Sequence, residues 1–140
     1  MSVRTYLDSR VDSVPMAVGL ALGDAAALGL FVLIGEVSHG NRPFENPEMV
    51  IGTLAPFLLA WLVVAGVGGL YTSDALLSPR RAVSWALPAW IFAGLLGHAL
   101  RATPLFRGGT ALSFIVVSLV AGGALLLGWR LVASVATAGK

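Results

Sequence analysis

Four long apolar runs, set apart by short stretches of turn-forming and charged residues, constrain this 140-residue chain more than any other feature. Crossing the hydrocarbon of a bilayer takes roughly 20 mainly apolar residues in a helix. Backbone surrounded by lipid must bond to itself, which selects the helix over irregular structure. The runs fall at about 14–35, 49–71, 82–100 and 110–129, joined by "EVSHGNRPFENPE", "TSDALLSPRR" and "RATPLFRGG". Composition points the same way, with 57% hydrophobic and 11% charged residues, against about 25% charged in a soluble domain. A small soluble domain leaves too much of itself in water to hide that much apolar surface. The sequence predicts an all-α integral membrane protein, a single membrane domain over 1–140 built as a bundle of four transmembrane helices. The first run exceeds the apolar core of a cleaved signal peptide and carries an acid in its middle, so it is read as a retained span.

Basic residues set the orientation of such a chain. Arg4, Arg10, Arg80, Arg81, Arg130 and Lys140 fall on one side, against Arg42, Arg101 and Arg107 on the other. Both termini are therefore expected in the cytoplasm, with the protein in the cell membrane. Tyr71, Trp85 and Trp129 fall near the predicted cytoplasmic ends, where amphipathic rings favour the headgroup region. Trp61 and Trp90 lie deeper, between helices or against lipid.

Lipid gives helices little hydrophobic reason to associate, so close backbone approach has to do so. Small residues occur in every span: Gly19 and Gly23 in the first, Gly66, Gly68 and Gly69 in the second, Gly94 and Gly97 in the third, Gly122 and Gly123 in the fourth. They predict a tightly packed bundle. Four helices of this length enclose little volume, so a substrate cavity is expected to need a second copy or a membrane-protein partner; membrane lipid is the remaining partner.

Asp24 is the costly residue. It lies ten residues past Val14, or ~15 Å into the span, where a charge costs about 2.5–3.5 kcal/mol on insertion scales. It is expected to face the bundle interior, protonated, and to meet His98 and Ser118 in an intramembrane polar site. A second cluster, Glu36, Ser38, His39, Arg42 and Arg101, gathers at the outer face, with Thr53, Ser113 and Arg107 nearby. Three readings of these groups stand side by side. Asp24 fixes helix packing; or Asp24 and His98 couple protons or a small solute to transport; or the outer cluster binds a ligand or lipid. The functional expectation is transport through the site around Asp24 and His98. The alternative is a non-catalytic scaffold or partner subunit, or an outer-face ligand- or lipid-binding protein.

Enzymatic chemistry finds little footing. The chain has no cysteine, hence no disulfide, thiolate metal site or Cys nucleophile. It contains no HExxH, GxSxG, Walker A or GxGxxG pattern, so no catalytic residue, metal or cofactor is assigned. No Lys/Arg run suggests a nucleic acid.

The "GD" of the first span, the following "LIGEVSHG", the "RR" before span three, the "H" near its end and "GGTALSF…LLLGWR" around span four together resemble a family of small prokaryotic membrane proteins. That family is known only as a domain of unknown function, with four predicted spans. The likeness covers nearly the whole chain. It implies that Asp24, Ser38, His39, Gly40 and Arg130 are the positions to watch, and it brings no established activity.

Overall fold

The computed structural model describes residues 14–106 and 111–138, and the described residues are helical, with no strand among them. Arg4, Arg10, Arg107 and Lys140, which carry part of the orientation argument, lie outside that range. Helix α1 runs Val14–Ser38, α2 Pro47–Gly68 and α3 Pro79–Arg101. The fourth span has three parts, α4 (Leu112–Val117), a π-helical turn (Ser118–Gly122) and α5 (Gly123–Ala138). All four spans are long and apolar enough to cross a membrane.

The helix ends follow local chemistry. Pro47 and Pro79 open α2 and α3, at a position whose N–H would have no helical partner. The Ser78 hydroxyl accepts the Arg81 N–H at 3.1 Å to cap α3. Gly69 ends α2 with φ 80°, a left-handed turn that a side chain would strain. Two boundaries depart from expectation. Tyr71, expected inside the second span, lies beyond its end. The fourth helix continues nine residues past the expected 129, because the apolar "LVASVATA" carries it on.

The helices form a closed ring in which α1 and α3 each touch α2 on one side and the fourth span on the other. The predicted small residues supply the fit. A side chain carbon at Gly122 would stand 2.8 Å from Trp90, and one at Gly97 2.5 Å from Phe57. Gly23 receives the ring of Trp129, whereas its GxxxG partner Gly19 faces open space. Large apolar side chains such as Leu22, Ile51, Phe92 and Val120 stand exposed on the outside of the ring, the surface that lipid covers. The α2–α3 connector folds back into the end that holds the termini. Its Leu70, Tyr71, Thr72, Ala75 and Leu76 are buried, and its 3-10 turn (Ser73–Leu76) packs on α3 and α5.

Candidate functional site

Three polar sites sit at different heights in the ring. The first is centred on Asp24, which is wholly buried on α1. Its Oδ1 accepts Arg130 Nε at 2.9 Å, and its Oδ2 accepts Arg130 Nη2 at 2.6 Å. Oδ2 also accepts the Trp61 indole N–H at 2.9 Å and the Tyr71 hydroxyl at 2.7 Å. Arg130 uses its remaining Nη1 on the Leu70 carbonyl at 2.6 Å. Arg130 and Trp61 can only donate, and between them they engage both oxygens of Asp24, which is the arrangement of a carboxylate rather than a carboxylic acid. The expected protonated Asp24 is therefore corrected: a guanidinium neutralises it inside the bundle. Burial, with the Asp24 charge next in weight, pushes the Tyr71 phenol well above its ordinary value.

Expectation sets Asp24 beside His98 and Ser118 instead. Arg130 falls one residue past the expected end of span four at 129; in the structure it lies eight residues short of the helix end at Ala138. That distance is about 12 Å, which brings it level with Asp24. The signal was present in the apolar residues after Arg130, which place the arginine inside a helix instead of beyond one. Trp61 and Tyr71 carried no comparable mark. Both are ordinary membrane aromatics until the tertiary structure turns their polar atoms onto one carboxylate.

The second site joins His98 and Ser118, with Nε2 and Oγ 2.6 Å apart. The Ser118 hydroxyl donates to the Ile115 carbonyl at 2.9 Å, so it accepts from the imidazole, whose Nε2 carries the proton. Phe57 and Phe114 meet the His98 ring edge-on at 4.9 and 5.2 Å. No described hydrogen bond links this pair to Asp24. Ser118 precedes Arg130 by twelve residues, about 18 Å of helix. The wholly buried Leu28, Trp90 and Leu126 lie at the levels between them.

The third site is a cleft of about 310 Å³ at the end of the bundle opposite the termini. Glu36, His39, Asn41, Thr53, Arg101 and Ser113 supply its polar lining. It lies within a single chain. Glu36 is held by Asn41 Nδ2 at 2.7 Å. Arg101 lies over the Phe114 ring, 4.8 Å from its centroid, and its Nε is buried without a hydrogen-bond partner. His39 Nδ1 donates to the Gly35 carbonyl at 2.9 Å, which leaves Nε2 as an acceptor. Of the outer cluster, Glu36, His39 and Arg101 enter this cleft. Ser38 turns back onto the Ile34 carbonyl at 2.7 Å, and Arg42 pairs with Glu45 at 3.2 Å on the exposed connector. Among the described residues no three His, Asp or Glu side chains gather as a metal set.

Residues 21–133 match the family model described as "Protein of unknown function (DUF3054)". Neither the curated proteins nor the solved structures offer a match to this chain.

Proposed function

The chain belongs to that family of unknown function, and from this premise we propose a multi-pass membrane protein whose working site is the polar cleft opposite the termini. In this reading the cleft binds a small polar ligand, and the Asp24–Arg130 pair is a fixed anchor that holds the bundle around it. The observation that carries the proposal is the Arg101 guanidinium, which lines the cleft and has no partner among the described ion pairs. A cationic group on a cavity wall without an ion-pair partner invites an anionic acceptor from outside. The basic-residue distribution supports termini in the cytoplasm and a cleft outside it.

Proton- or solute-coupled transport through Asp24 has weaker support. Four donors occupy its carboxylate, so protonating it would strip the counter-ion from a buried arginine. The folded-back connector also closes the bundle at that end. The His98–Ser118 pair stands apart from Asp24, leaving no continuous polar route between them among the described residues.

Because the chain contains no cysteine, Ser113→Cys places a single thiol in the cleft. In lipid nanodiscs, water-soluble thiol reagents should label it. An anionic reagent should outpace a cationic one, and Arg101→Gln should erase that preference. A thiol inert to both reagents would sink the proposal.

A further inference from the structure

Glu36 and Arg101 carry opposite charges into one cleft and do not meet. They interact electrostatically, yet the described ion pairs are Asp24–Arg130 and Arg42–Glu45, with none between Glu36 and Arg101. Each charge is held by its own neighbours instead. Asn41 holds the Glu36 carboxylate. Phe114 supports the Arg101 guanidinium from below, and is itself braced by Phe57 at 6.1 Å and Phe31 at 6.4 Å. Two opposite charges that attract without touching each keep room for a partner of their own. A ligand with only one charge would satisfy one wall and leave the other bare.

From this we propose that the cleft recognises a zwitterion: one small molecule with an anionic group for Arg101 and a primary ammonium for Glu36. The inference rests on the cleft being a binding site, as argued above. The anion would accept from the Arg101 guanidinium, which lines the cleft. The ammonium, with three donors, would reach the Glu36 carboxylate, with the Thr53 and Ser113 hydroxyls lining the space between. The cleft volume of about 310 Å³ is at the lower end for ligand pockets. That suits a molecule of headgroup size. A phosphatidylethanolamine headgroup and a free phosphoethanolamine-like solute share this chemistry.

The test uses the Ser113→Cys protein in phosphatidylglycerol nanodiscs, with soluble phosphoethanolamine as the probe. Phosphoethanolamine should slow thiol labelling at concentrations at least about tenfold below those needed of inorganic phosphate or of ethanolamine, since two linked charges bind with one loss of freedom. Glu36→Gln should remove that advantage while leaving the weaker phosphate effect, and Glu36→Asp should restore part of it. Arg101→Gln should abolish protection by either compound. Equal protection by phosphate and phosphoethanolamine, or an advantage that survives Glu36→Gln, would overturn the zwitterion and leave the cleft as an anion site. Ready labelling that no probe slows would also overturn it. A thiol that never labels would instead refute the cleft as a working site. Repeating the measurement in phosphatidylethanolamine discs separates the sources. Slower labelling there identifies the lipid headgroup, and an unchanged rate identifies the free solute; both agree with the inference.

Discussion

Arg130 grips Asp24 through two parallel hydrogen bonds of 2.9 and 2.6 Å across 106 residues of sequence. The pair joins the first span to the last, and Arg130 ties in the α2–α3 connector through the Leu70 carbonyl. A two-pronged pair fixes orientation as well as distance. It therefore sets how α1 and α5 are rotated and how far each is inserted, which apolar contacts alone specify weakly in lipid.

Removing one partner should cost more than removing both. Asp24→Asn leaves a buried, uncompensated guanidinium, and breaking such pairs typically costs about 3–5 kcal/mol. The double variant Asp24→Leu with Arg130→Met removes both charges at similar volume and should recover most of that loss. Unfolding in a graded detergent series would read the difference. A double variant as unstable as Asp24→Asn would show that the ion pair itself stabilises the bundle.

Tyr71 should make the protein sensitive to alkali. Its phenol ionises well above the ordinary tyrosine value in the folded protein and near about 10 once unfolded. Below pH ~10 both states keep the proton and the stabilisation is complete. Above it the unfolded chain loses its proton first, so stability falls as pH rises toward the folded value. In a Tyr6→Phe background, tyrosinate absorbance should stay low at pH 10.5 until the protein unfolds. Tyr71→Phe should flatten the alkaline limb, at the expense of about 1.5–3 kcal/mol for a hydrogen bond to a charged group. A normal tyrosinate titration in the folded protein would contradict this.

The glycines should divide by what their faces meet. Gly122→Ala drives a methyl group to 2.8 Å from the buried Trp90 ring, and overpacking of this kind typically costs about 1–3 kcal/mol. Gly66→Ala points into open space and should be neutral or mildly stabilising, since alanine favours the helix by up to ~1 kcal/mol. Thermal denaturation of the two variants side by side measures both. Equal losses would mean that the aromatic notches do not hold the bundle together.

Much of the outer cluster was legible because its residues are close in sequence. Glu36 and His39 end one span, while Arg101 ends another, and counting residues along the spans brings them to the same end. Ser38 and Arg42 belong to that stretch too, yet local bonds to Ile34 and Glu45 occupy them. Which neighbours enter the cleft depends on how the last turn of α1 is rotated, and residue order does not encode that. His98 and Ser118 are expected beside Asp24; that they bond to each other instead depends on how α3 and the fourth span are turned.

By itself, then, the sequence determined the number of spans, their approximate limits and the end at which the polar cluster gathers. Those properties depend on length and hydropathy, which the bilayer imposes directly. The partner of Asp24 was decided only by the tertiary structure. In a soluble helix, polar residues mark the outer face and the apolar stripe reveals which way it turns. In lipid both faces are apolar, so rotation about the helix axis leaves little trace in the sequence. Arg130, Trp61 and Tyr71 reach one carboxylate because of how three helices and a connector are turned toward each other, and packing settles that turn.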